Sequence, residues 1–172
     1  MKKIFGLSII VAVALLVSCA SDEKETVNPA IPATSTAAPA IDIVYEKGFY
    51  PEEKDAKAGT IWRWMGTEGK VKVKNTKKDM ILKIAGNVPL EHFPQPPTIT
   101  VSINGEELEK FNATEGLMEK AYTIPAAKLG SGDYAEVKIT STKAFVPKDV
   151  VKGATDIRSL GFSLTNLTWQ SK

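Results

Sequence analysis

Cysteine occurs once in this 172-residue chain, and so does histidine. A single cysteine excludes an internal disulfide. A single histidine excludes a metal centre built from clustered imidazoles. A serine triad would depend on His92, in the proline-rich segment 89–97, and no Gly-x-Ser-x-Gly elbow accompanies it. No phosphate-cradling glycine loop is present. A glycosidase needs two carboxylates facing across a cleft, and nothing in the sequence singles out such a pair. No apolar run reaches the ~20 residues of a comfortable membrane span. No stretch keeps a helical period over three turns. Charge of one sign is lacking too. Lys and Arg total 22 and Asp and Glu total 20. Removing Lys2 and Lys3 with the N-terminal segment described next leaves 20 of each. That balance gives no reason to expect a nucleic-acid partner.

What is present begins at the N-terminus. Met1, Lys2 and Lys3 precede an apolar run from Ile4 to Val17, interrupted only by Gly6 and Ser8. The positive start and the short apolar centre match a secretory signal. The run ends in Leu16-Val17-Ser18-Cys19, which resembles the lipobox of bacterial lipoproteins. The resemblance implies that the Cys19 thiol receives a diacylglyceryl group and that cleavage leaves Cys19 as the new N-terminus. Lipidation would withdraw Cys19 from nucleophilic chemistry. Each buried CH₂ holds such an anchor by about 0.8 kcal/mol. Ala20, not Asp, follows Cys19. Under the sorting rule of enteric bacteria that resembles an outer-membrane cargo, so the expected location is the bacterial envelope, lipid-anchored at the outer membrane.

Residues 20–40 read ASDEKETVNPAIPATSTAAPA. Pro29, Pro32 and Pro39 oppose helix and central strand alike, and the composition cannot bury enough surface to offset chain entropy. This segment is read as a disordered spacer, spanning roughly 25 Å as a flexible coil. The expected organisation is therefore a signal peptide over 1–18, a lipidated cysteine and tether over 19–40, and one domain over 41–172.

That domain alternates with period two. Val71 and Val73 alternate with Lys70, Lys72 and Lys74. Met80, Leu82 and Ile84 alternate with Ile81 and Lys83. Ile99, Val101 and Ile103 alternate with threonine and serine, and Ala135, Val137 and Ile139 with Glu136 and Lys138. Such alternation gives strands with one wet face. Asn104-Gly105 is the strongest hairpin signal and should join 98–103 to 106–112. Pro125–Leu129 suits a single helical turn. In the last strand Leu160, Phe162 and Leu164 share one parity, and Leu167 and Trp169 have the other. A bulge near Thr165-Asn166 would keep all five inward. Eight or more short strands at this spacing predict an all-β fold, a single antiparallel β-sandwich.

Three patterns in series carry a second resemblance: Gly48-Phe49-Tyr50-Pro51-Glu52 with Arg63-Trp64; the Ile103-Asn104-Gly105 hairpin; and Phe145-Val146-Pro147 with Asp156-Ile157-Arg158-Ser159-Leu160-Gly161. Together they resemble a small β-sandwich module of bacterial envelope proteins, found alone and appended to membrane glycosyltransferases. It is similar to a carbohydrate-binding-module jelly roll. The resemblance spans residues 45–169 and implies the fold more than a role.

Six residues are candidates for ligand binding. Trp62 and Trp64 lie two apart and share a strand face, with Arg63 on the other. They suit a sugar-stacking platform; core packing is the alternative, and the plainer one for Trp64. Glu52, Arg63, Asp156 and Arg158 are read as a charge network beside the long loop 145–158, where function often sits, and Tyr50 is a further candidate. The plainer reading is that Asp156 and Arg158 pin that loop to the sandwich. The lysines 70, 72, 74, 77 and 78 are read as a solvated face that discourages edge pairing. Asp133, Glu136 and Asp156 lack a spaced calcium-loop pattern, so no metal or cofactor is expected. The expected role is a non-catalytic module for glycan on a lipid anchor. The alternative is a structural or assembly lipoprotein that binds another envelope protein through a sheet edge or the loop 145–158. A hydrolase ranks below both.

Overall fold

The computed structural model describes residues 42–172. The signal segment, Cys19 and the tether lie outside the described residues. Ten strands form two antiparallel sheets. They are β1 (Ile43–Tyr45), β2 (Phe49–Asp55), β3 (Thr60–Met65), β4 (Glu68–Lys74), β5 (Met80–Asn87), β6 (Thr98–Ile103), β7 (Glu106–Asn112), β8 (Leu117–Ile124), β9 (Tyr134–Ser141) and β10 (Phe162–Ser171). The first sheet has the order β1-β4-β9-β6-β7 and the second β2-β3-β10-β5-β8. The chain passes repeatedly from one sheet to the other, as in a jelly roll. The helical content is small: one turn, α1 (Pro147–Val150), and two 3-10 turns at Leu90–His92 and Ala126–Leu129.

The alternating residues meet between the sheets. Val71, Val73, Ile99, Val101, Ile103, Val137 and Ile139 come from the first sheet, and Met65, Met80, Leu82, Ile84, Ile124 and Phe162 from the second, all essentially inaccessible. Gly86 sits where the Phe162 ring crosses β5, and a Cβ there would lie 2.2 Å from the ring's Cζ. The absent side chain is what lets the ring in.

The hairpin at Asn104-Gly105 joins β6 to β7 at the expected residues, and both positions have positive φ, 49° and 83°. The 3-10 turn at Ala126–Leu129 falls where a turn was expected. The register of β10 against β5 shifts between Leu164 and Asn166. That bulge leaves Leu160, Phe162, Leu164, Leu167 and Trp169 all buried, as the parity change required. Trp169 also donates its indole N–H to the Lys74 carbonyl of the opposite sheet, at 2.8 Å.

Polar groups close both lateral openings of the sandwich. On one side Arg63 holds Glu52 at 2.9 Å and lies 4.7 Å above the Tyr45 ring. On the other, Glu109 of β7 takes Lys120 at 2.7 Å and the Tyr122 hydroxyl at 2.9 Å, both from β8. The Lys120 ammonium holds the Glu109 carboxyl below its ordinary value, against the opposing effect of burial. Burial, then Glu109, pushes the Tyr122 hydroxyl upward.

Candidate functional site

The candidate tryptophans are placed by the inward parity of β3. Met65 is fully buried and sits opposite Phe162, so Arg63 and Ile61 share its side. Trp62 and Trp64 therefore stand on the outer face of the second sheet. The core-packing alternative for Trp64 is corrected here: neither ring lies between the sheets. Both are partly buried on the outside. Trp64 is sheltered by Phe145 of the long loop, edge to face with centroids 6.4 Å apart. Phe145 in turn packs against Phe93 at 5.8 Å and His92 at 4.4 Å.

A continuous row of side chains crosses four strands from Trp64: Ser163, Asn87 and Leu117 stand successively opposite one another. The next row runs Asn166, Ala85, Glu119, and the one after it Thr168, Lys83, Ala121. Trp62 lies beside the bulge at Thr165, opposite Glu53 of β2. Ala85 and Ala121 are short, and two shallow adjoining hollows centre on Ala85. One, of about 380 Å³, is bordered by Leu117, Glu119 and Thr165. The other, of about 350 Å³, is bordered by Lys83, Ala121 and Asn166. Hydroxyls, amides and two tryptophan rings therefore share this face, with Lys83 and Glu119 as the charges near its middle. Neither has an ion-pair partner among the described residues.

The expected charge network divides in two. Glu52 and Arg63 pair on the inner side, at the lateral opening. Arg158 instead takes Glu53, at 2.6 Å, together with Asp156, at 2.7 Å. Adjacent residues on a strand point to opposite faces, so Glu52 and Glu53 cannot serve the same arginine. The Arg158 guanidinium also lies 5.2 Å from the Tyr50 ring centre. The Tyr50 hydroxyl donates to the Ser159 carbonyl and accepts from the Ser159 N–H, at 3.3 and 3.2 Å. The Arg158 side chain, then its N–H, holds the Asp156 carboxyl below its ordinary value. These contacts anchor the loop 145–158 to β2. Tyr50, Asp156 and Arg158 thus spend their polar groups on the loop, and Arg63 spends its own on Glu52. Of the six candidates, Trp62 and Trp64 remain on the outer face, with Phe145 of the loop beside Trp64.

Sequence reasoning missed Glu53, because Glu52 and Glu53 are equally plausible until the bulge between Phe49 and Glu52 sets the parity. It also missed Asn87, Ser163, Asn166 and Ala85 as companions of the tryptophans. Their outward parity was legible strand by strand; their alignment was not. The basic strip is largely self-satisfied. Lys70 pairs with Glu136 at 3.2 Å and Lys72 with Glu46 at 2.6 Å. Lys74 lies 4.9 Å above the Tyr134 ring. Lys77 leaves the strip altogether and donates to the carbonyls of Gly130, Ser131 and Gly132.

No protein-family model and no curated protein matches the sequence. Solved structures similar to this chain include a family 35 carbohydrate binding module from Clostridium thermocellum, 11% identical with a TM-score of 0.39, over 76% of this chain and 99% of that one. A CBM27-1 module from Caldicellulosiruptor saccharolyticus, solved in complex with mannohexaose, is 9% identical with a TM-score of 0.41, over 81% and 87%. A family GH115 4-O-methyl-alpha-glucuronidase with specificity for decorated arabinogalactans is 12% identical with a TM-score of 0.46. The similarity to it covers 77% of this chain but only 18% of that much longer one.

Proposed function

We propose that this chain is a non-catalytic glycan-binding module, displayed from the bacterial envelope on a lipid anchor at Cys19. The observation that carries the reading is the outer face of the second sheet. There Trp62 and Trp64 stand beside Asn87, Thr165 and Asn166 over a shallow floor at Ala85. A pyranose ring needs an aromatic face for its C–H groups and neutral donors and acceptors for its hydroxyls. This face supplies both. The lipobox-like Leu16-Val17-Ser18-Cys19 supports the anchor, and Ala20 supports the outer membrane as its destination. Membrane lipid, held through acylated Cys19, is then the first partner and glycan the second.

The test is a glycan array probed with the mature chain bearing Cys19→Ser, beside the same chain with Trp62→Ala. Binding that is lost in the tryptophan variant, with an unchanged circular dichroism spectrum, is the expected result. Silence across the array would reject it. Labelled palmitate should enter the wild-type chain in bacteria and not Cys19→Ala. The second reading, an assembly lipoprotein that binds an envelope protein, is favoured by one feature: β8 is an edge strand that begins at Leu117, which is 80% exposed.

A further inference from the structure

The loop after Phe145 is a built lobe. Its neck is tied by paired hydrogen bonds between Phe145 and Leu160, at 2.9 and 2.8 Å, and by the Lys148 N–H on the Asp156 carbonyl at 2.9 Å. Within it, the Asp149, Val151 and Ala154 N–H groups bond to Val146, Pro147 and Val151 carbonyls. Arg158 clamps its base to Glu53. The lobe so fixed presents three branched apolar side chains to water: Val150 is 51% exposed, Val151 39% and Ile157 74%. Single exposed apolar residues are ordinary on a protein surface, but a local group of them marks a contact site. Lys148 and Lys152 flank these side chains and are themselves exposed. Asp149 is the one acidic residue between Lys148 and Thr155, while Asp156 and Arg158 are neutralised within their own cluster.

We propose that this lobe docks onto an anionic lipid surface, with Val150, Val151 and Ile157 entering the headgroup boundary and Lys148 and Lys152 meeting its phosphates. Branched apolar tips flanked by two lysines fit such an interface, where apolar burial and attraction to anionic lipid act together. The charge pattern selects lipid over a protein groove, which would offer no general reason for cations at the rim. The contact is weak by itself and gains from a second signal on the same chain. The proposed acyl group at Cys19 is such a signal, and the proposed tether of some twenty residues would let any side of the domain reach the bilayer. The docking does not depend on that anchor and is tested without it.

The mature chain with Cys19→Ser would be spun down with vesicles of phosphatidylcholine alone or mixed with phosphatidylglycerol. Co-sedimentation with the mixed vesicles, falling as salt is raised, is expected. A Val150→Asp, Val151→Asp, Ile157→Asp variant should lose at least about ten-fold in vesicle affinity. Its circular dichroism should be unchanged, because these side chains face water. Lys148→Glu with Lys152→Glu should abolish the preference for the mixed vesicles. Equal sedimentation of wild type and the aspartate variant would overturn the proposal, as would no sedimentation of the wild type. Failure of glycan binding would instead follow Trp62 and leave the vesicle result untouched.

Discussion

The two outer faces of this sandwich are built from the same kind of strand and have opposite characters. On the first sheet, Lys70, Lys72 and Lys74 find Glu136, Glu46 and the Tyr134 ring close at hand. Three lysines of that face are therefore engaged within it. On the second sheet, two tryptophans stand beside amides and hydroxyls, and Lys83 and Glu119 have no ion-pair partner among the described residues. Stacking and hydrogen-bonding capacity is left over. The proposed site rests on that tryptophan surface, which the first face lacks. The loop 145–158 sharpens the contrast, because it shelters Trp64 and is clamped to β2 of the second sheet.

The largest way to break this comparison is to remove the core that both faces share. Phe162→Ala deletes the bulkiest of the fully buried side chains and should cost about 3–5 kcal/mol. Urea unfolding would read it, and the two faces should fail together. Separating them takes an outward residue. Trp62→Ala should reduce glycan affinity at least ten-fold while Lys72→Ala leaves it unchanged, by isothermal titration with whichever sugar the array returns. A tryptophan substitution without effect would remove the distinction drawn between the faces.

A smaller effect is expected from acid. Asp156 is held low by Arg158, and Glu109 by Lys120. A carboxyl depressed in the folded state contributes stability that is present above its unfolded value. The ordinary values here are 3.8 for Asp156 and 4.5 for Glu109. The contribution disappears as pH falls through the lower folded values. Melting temperature should therefore drop on acidification below about pH 4. Arg158→Met should make that limb shallower, because Asp156 then loses its largest depressing partner. The smallest effect belongs to the self-satisfied face. Lys70→Ala removes a half-exposed pair with Glu136 and should change unfolding free energy by about 0.5 kcal/mol or less.

Much of this was open to reading in the chain. Valine and lysine alternating through 70–74 gave β4 its inner and outer sides. Asn104-Gly105 gave a hairpin, because both of its residues tolerate positive φ. The change of parity between Leu164 and Leu167 required a bulge, and the bulge is there. The candidate site was legible in part: Trp62 and Trp64 do share a face, and Asp156 and Arg158 do pin the loop. Reading failed where two adjacent residues offered the same chemistry. Glu52 and Glu53 are equivalent on paper, and a bulge three residues into β2 decided that Arg63 takes one and Arg158 the other.

By itself, then, the sequence determined the all-β architecture, the inward and outward residues of β4, β5, β6 and β9, and the principal turns. These follow from periodicity and backbone preference, which act over a few residues. Only the tertiary structure decided that the tryptophan face looks outward and that Ser163, Asn87 and Leu117 extend it. It also decided that Phe145 shelters one ring of the pair. Those facts depend on the register of β3 against β10 and of β10 against β5, strands separated by most of the domain. Register between distant strands is fixed by the packing of the whole core and leaves no mark on any one segment.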